Sequence, residues 1–425
     1  MGATQLGVAT MRNTWKRWVT QGGLIALALS LLASVATAET LLMPKRDGLK
    51  NASMVVWGVS TLPNGTAFSL DYGDATAPTV GNVGDRSYIN FNHTYAAAGN
   101  YDVTLTVGAE SATVRVQIFD SALLTADQLR SLKINMAIED GLRYFWQGQA
   151  GRAGNFPANV QTNWGGDLTA DTALIVLAFE NHGYTLSGNT APTGVYEKYI
   201  VRRGLNALMG SLAQVSIGVQ AAGNPCVGSG AGWVGSDCVA LTAVNDPGYS
   251  TAVAILPFAA SGALSRVNTE VAGVTANKTF GEILQRLVNA EAWGQSDSNC
   301  GAGRGGFGYS HNGCQFDGST VGWSVLGFLD AEAAGAVVPA FVRTEFAFGF
   351  NNALNTDGSF DYSADGSPNS VSSPGVQKVG IGLQGLFFLS DTGARVNLVK
   401  NNISSWWEGG PGIGQNNWSC NNPVS

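Results

Sequence analysis

The hydrophobic pattern of this chain changes period once. Over residues 46–119, apolar and polar positions alternate in short runs, MVVWGVS, AFSLDY, SYINFN, NYDVTLTV and ATVRVQIF, separated by Gly, Asn, Pro and Asp. A period of two predicts half-buried strands, and their spacing predicts a small immunoglobulin-like β-sandwich. From Ser121 onward the apolar positions recur at helical spacing. Thr125 and Gln128 form a capping-box signature for a helix reaching about Gln147, with Leu129, Leu132, Met136 and Leu142 on its apolar face. Amphipathic helix patterns at 195–212, 279–292, 339–352 and 395–407 then alternate with nearly wholly apolar ones at 169–179, 250–264, 319–334 and 377–389. A helix that is apolar all round is expected to be buried.

A loop rich in glycine and aromatics precedes each apolar helix pattern: NWGGD, GAGWVGSD, RGGFGYS and DGSFDYS, with a last copy, GPGIGQNNWS, near the end. The clearest module is GRGGFGYSHNGCQFDGSTVGWSVLGFLDAEAAG, residues 303–335. Hairpins of this kind cannot bury an apolar helix alone and are expected to stack side by side. The expected architecture is therefore multidomain: a β-sandwich over 46–119, then an all-α α/α-toroid of helical hairpins over 121–425. The fifth loop has no apolar helix after it. The ring is thus expected to be incomplete, through truncation at Ser425 or completion by another segment or subunit.

Two resemblances accompany these patterns. DYGD (71–74) followed by HTYAAAGNYDVTLTV (93–107) resembles the PKD domain, although Leu70 or Asp71 stands where that family usually has Trp. The resemblance implies an immunoglobulin-like spacer or adhesion module without catalysis, in which His93 anchors a turn. GGFGYS ahead of DGSTVGWSVLGFLDAE resembles the prenyltransferase and squalene-cyclase repeat superfamily over about 125–425. It implies a toroid and says little about chemistry, since such folds host cyclases, lyases, glycosidases and binding domains.

Residues 1–38 are expected to be a cleaved secretion signal. Arg12, Lys16 and Arg17 precede an apolar run at 24–35 that is too short to span a bilayer, and Ala36-Thr37-Ala38 fits a cleavage site before Glu39. The competing reading of this stretch is a membrane anchor. Removing it takes away those three cations and no acid, which carries the formal charge from −7 to −10. An acidic chain argues against a nucleic-acid partner. No further membrane span is expected. With 12% charged residues, 56 glycines and 45% hydrophobic residues, the composition fits a folded exported protein. Of the five cysteines, Cys226 with Cys238 and Cys300 with Cys314 each bracket a glycine-rich loop, and Cys420 is left over. Local disulfides are the simplest pairing, each worth roughly 2–3 kcal/mol. The rival, a metal site, lacks CxxC spacing in a chain with three histidines.

Candidate chemistry is sparse. No DxDD or DDxxD run exists, and Asp361 with Asp365 is too widely spaced. A prenyltransferase-type zinc site would start at Asp317, but Ser319 replaces the expected Cys and no His follows in the next repeat. No metal and no cofactor are expected. Asp167 and Asp171, four apart at the start of the 169–179 helix, are the candidate catalytic pair for acid–base work on a glycan. The alternative is that they cap the helix, as Asp317 would cap its own. Glu139 and Asp140 are expected to be solvated, and His182 to compensate a helix end. Trp164, Trp233, Tyr309 and Tyr362 are the candidate ligand-binding residues. With Phe307, Phe360 and Trp418 they either stack on sugar rings or wedge neighbouring hairpins together.

The expected function is a secreted or cell-surface protein whose toroid binds or scaffolds, with a polysaccharide or another surface protein as partner. The alternative is an extracellular or periplasmic polysaccharide lyase or glycosidase. A terpenoid cyclase is a distant third.

Overall fold

The computed structural model describes residues 39–84, 88–152, 163–164, 168–228, 237–364 and 376–407. The leader 1–38 and the candidates Asp167, Trp233, Trp418 and Cys420 lie outside these residues. Residues 39–425 make one compact unit.

Eight strands come first: β1 (Thr40–Leu42), β2 (Arg46–Leu49), β3 (Ser53–Ser60), β4 (Ala67–Asp71), β5 (Thr79–Asn82), β6 (Tyr88–Thr94), β7 (Gly99–Val107) and β8 (Glu110–Phe119). The alternating runs named above are β3, β4, β6, β7 and β8. Antiparallel β1-β3-β6 forms one sheet, and β2-β8-β7-β4-β5 forms a second, in which β2 runs parallel to β8. Inward residues of both sheets, among them Val56, Leu70, Val103, Leu105 and Val116, are fully buried. The turn after β4 is fixed from the far sheet. His93 Nε2 pairs with Asp74 Oδ2 at 2.8 Å, and the imidazole stacks on Tyr72 at 3.8 Å.

The rest of the chain carries α1 (Ala126–Arg152), α2 (Leu168–Asn181), a π-helical turn (Glu197–Val201) leading into α3 (Arg202–Ser211), β9 (Leu212–Gly218) and β10 (Asp237–Ala243). Beyond them lie α4 (Pro247–Ala260), α5 (Phe280–Gly294), α6 (Gly318–Ala333), α7 (Ala340–Ala353), α8 (Val376–Phe388) and α9 (Ala394–Trp407). The expected capping box of Thr125 with Gln128 forms ahead of α1, and a second, Thr279 with Glu282, forms ahead of α5. The apolar helices α2, α4, α6 and α8 lie in a row, each against the next, and α5 packs on α4 and β10.

The chain is therefore mixed α/β, with about 44% helix and 22% strand. This corrects the expected immunoglobulin-like sandwich followed by an all-α toroid. The larger sheet is a curled mixed sheet that contains a parallel pair. The helical half also carries the antiparallel hairpin β9–β10 between α3 and α4. LAQVSIG alternates apolar and polar residues as a strand does, but its Leu212 also completes the helical pattern of α3, so periodicity merged the two. The hairpin is pinned by the disulfide Cys226–Cys238, with Cα atoms 5.8 Å apart and both cysteines buried beside Ile217 and Ala290. Cys300–Cys314, at 4.8 Å, closes the loop ahead of α6. Both expected pairings are borne out.

The β layer and the helices share an aromatic core. Trp57 of β3 stacks on Trp146 of α1 at 4.6 Å and meets Tyr196 at 5.4 Å, while Tyr88 of β6 lies 4.5 Å from Trp146. Ion pairs flank it: Arg46 with Asp140, and Lys198 with Glu39.

Candidate functional site

The Gly-aromatic loops ahead of α6 and α8 superpose in sequence as RGGFGY (304–309) and DGSFDY (357–362). Their geometry repeats too. Gly305 and Gly358 both take positive φ, 77° and 84°, and lie against backbone carbonyls of the following outer helix, Glu345 of α7 and Leu398 of α9. Two residues on, Phe307 and Phe360 are 1% and 0% exposed. Two residues further, the tyrosine carbonyls accept the N–H of a first-turn glycine of the preceding row helix. Gly248 of α4 donates to Tyr309 at 2.9 Å, and Gly318 of α6 donates to Tyr362 at 2.8 Å. The repeat thus separates the aromatics by position, buried or exposed. Phenylalanine wedges the hairpins, and tyrosine, held by its backbone, turns its ring outward.

Tyr309 and Tyr362 are 42% and 38% exposed. Tyr309 stacks nearly parallel on Tyr249 of α4, with ring centroids 5.6 Å apart and planes 13° off. Tyr249 Oη accepts a hydrogen bond from Trp323 Nε1 of α6 at 3.0 Å. The Tyr362 hydroxyl lies 3.2 Å from Asp317 Oδ1 and 3.1 Å from Ser319 Oγ. Burial pushes the Tyr362 phenol above its ordinary range, the Ser319 hydroxyl works against that rise, and the Asp317 charge adds to it. The result is a shelf of tyrosine faces at the N-terminal ends of α4 and α6, edged by a carboxylate and hydroxyls.

Asp317 is the N-cap of α6, accepting from Thr320 N–H at 3.1 Å and from Ser319 Oγ. All the hydrogen bonds to its carboxylate fall on Oδ1. Oδ2 makes no hydrogen bond among the described residues and is available as an acceptor. Ser319, at the position where the zinc-site pattern has Cys, is committed to this cap.

Asp171 sits one turn inside α2 and borders an apolar cleft of about 410 Å³ with Tyr144, Phe145, Trp164, Leu174 and Ile175. Its carboxylate caps nothing among the described residues. Trp164 is buried there, donating from Nε1 to the Phe145 carbonyl at 3.0 Å. No second carboxylate among the described residues borders this cleft.

Glu139 and Asp140 are not simply solvated. Glu139 Oε1 accepts from the Tyr184 hydroxyl at 2.5 Å and pairs with His182 Nε2 at 3.0 Å, and Asp140 holds the buried Arg46. Glu139, His182 and Arg46, with Lys45 and Asp47, border a polar pocket of about 230 Å³ against β2. His311 lies 3.6 Å from the buried Glu291, whose other oxygen accepts from Ser324 at 2.6 Å. His311 Nε2 and the Glu291 oxygen it faces make no hydrogen bond among the described residues. The pattern of the chain did not mark these groups: Ser324 sits in an apolar run, Glu291 in an amphipathic one and Tyr249 one residue ahead of an apolar run.

Glu180 of α2 is a buried acid, 4% exposed, with no hydrogen-bond partner on either oxygen among the described residues. Burial alone raises its pKa well above the usual carboxylate range. The folded state therefore keeps its proton while the unfolded chain releases it. Stability from this group is present below the unfolded pKa and is lost as pH rises toward the folded one. Replacing it with an apolar side chain of similar volume removes a desolvation cost of about 1–3 kcal/mol. Glu180→Met should raise the melting temperature at pH 7, with a smaller gain at pH 4. A melting temperature that is unchanged or lower at pH 7 would refute this.

The chain matches no protein-family model and no curated protein sequence. Among the described residues no helix is long and apolar enough to cross a membrane. Two disulfides fit an oxidising location.

Proposed function

We propose that this is an exported binding protein that holds a polysaccharide against the shelf formed by Tyr249, Tyr309 and Tyr362. The observation that carries the reading is the outward pair of tyrosines set by a repeated backbone device, beside Asp317 and Ser319. Aromatic faces stack on the C–H faces of sugar rings, and the flanking hydroxyls and free carboxylate oxygen can accept and donate to sugar hydroxyls. Export is supported by the signal-like residues 1–38 and by the two disulfides. The net negative charge favours a neutral glycan over an anionic one. The PKD resemblance of residues 71–107 supports a surface or adhesive setting.

The test is glycan-array screening of the full chain, followed by titration of the best hit. Tyr309→Ala and Tyr362→Ala should each weaken binding several-fold, and together by about tenfold or more. Melting should barely change, because both rings are more than a third exposed. Undiminished binding by the double variant would refute the shelf as the site. New reducing ends released from the bound glycan would instead favour the polysaccharide-cleaving reading, with Asp171 as the first residue to substitute.

A further inference from the structure

In the row α2–α4–α6–α8, the inner members α4 and α6 are flanked by row helices on both sides, whereas α2 and α8 stand at its ends. Both end helices were expected to be buried all round. Both keep apolar side chains open instead. On α8, Leu383 and the 71% exposed Phe387 border a cleft of about 490 Å³ with Val396 and Lys400 of α9. On α2, Leu174 and Ile175 border the 410 Å³ cleft with Trp164 and α1. The two faces carry opposite charge. Neither the Lys400 ammonium nor the Asp171 carboxylate has an ion pair or hydrogen bond among the described residues. Asp391, also at the α8 cleft, is already paired with Arg395.

We propose that the α8–α9 face of one copy docks head-to-tail onto the α1–α2 face of a second copy. Phe387 seats against Trp164, Leu174 and Ile175, and Lys400 pairs with Asp171. The contact continues between chains the apolar helix-on-helix packing that already joins α6 to α8 within one chain, where Gly322 receives Ile381. A large exposed aromatic at each end, Phe387 and Tyr144 at 71% each, is the kind of surface that marks an interaction site. Opposite charges at the two faces favour this pairing over either face meeting itself. Because the surfaces differ, the interface is heterologous. Every added copy leaves one face of each kind free, so assembly proceeds past the dimer unless rotation closes it.

Sedimentation velocity of the full chain across the micromolar range tests this. Average mass should rise with concentration beyond two copies. Phe387→Glu and Ile175→Glu should each stay monomeric alone, whereas an equimolar mixture keeps one intact interface and should form a pair of one chain of each kind and nothing larger. Asp171→Lys, a change on the same face as Ile175, should weaken association by about tenfold. Adding Lys400→Asp in the same chain should restore it. Circular dichroism checks that each variant is folded. A wild-type chain that stays monomeric throughout overturns the proposal. So does a mixture of the two disrupted chains that stays monomeric while the wild type associates, or a charge swap that fails to rescue.

Discussion

Gly305→Ala should cost on the order of 4 kcal/mol or more and leave little folded protein at physiological temperature. Two costs combine. The residue sits at φ 77°, where a Cβ costs about 1–2 kcal/mol. An added Cβ would also stand 1.8 Å from the Glu345 carbonyl oxygen and 2.4 Å from its carbon. Those are helix backbone atoms of α7, so no rotamer change relieves the overlap, and either the loop or the helix has to move. Gly335→Ala is the control. It has φ 95° and nothing within 4 Å of the added Cβ, so it should show the left-handed cost alone. Urea denaturation of the three proteins separates the terms. If Gly305→Ala loses no more than Gly335→Ala, the close approach is not what fixes the loop. A folded but rearranged variant should also lose binding at Tyr309, four residues on, because the loop backbone places that ring.

The loop repeat was legible in the sequence as glycine followed by aromatics, and its division of labour was not. RGGFGY and DGSFDY put Phe and Tyr two residues apart, which in an extended stretch would send both to one face. The tyrosine carbonyl is instead tied to a neighbouring helix's first turn, and that bond comes from a segment 61 residues earlier for Tyr309 and 44 residues earlier for Tyr362. Local pattern cannot carry such a contact. The long helices were legible because their caps and apolar periods agree, as at Thr279–Glu282. Strand β2 was not, because RDGL has no apolar alternation and is a strand only by pairing in parallel with β8. The expectation that α2 is buried all round failed for a related reason. Apolar composition says a helix can be covered, and its position at the end of the row decides whether it is. The fold class was overturned by such elements: a short parallel strand, and a hairpin whose first strand continues the helical pattern before it.

Trp57→Ala should cost about 3–5 kcal/mol and lower the unfolding midpoint of the helices together with that of the sheets. Trp57 is 1% exposed in β3, and its ring touches Trp146 of α1 and Tyr196 ahead of α3. Truncation opens a cavity in that cluster and removes aromatic pairs worth about 0.5–1.5 kcal/mol each. The ion pairs across the same junction cannot compensate. Lys198 and Glu39 are both partly exposed, a kind of pair worth about 0–1 kcal/mol, and Asp140 opposite the buried Arg46 is half-exposed, so solvent screens that attraction too. The aromatic core is therefore the dominant link between the β layer and the helices, which distinguishes this junction from that of a freely hinged spacer. Trp57→Phe keeps much of the apolar volume and should lose well under half as much. Unfolding followed by far-UV circular dichroism and by tryptophan fluorescence should give one coincident transition in the wild type, shifted as a whole in Trp57→Ala. If the helical signal keeps its wild-type midpoint while the fluorescence transition moves, the two layers unfold independently and the coupling through Trp57 and Trp146 is too weak to matter.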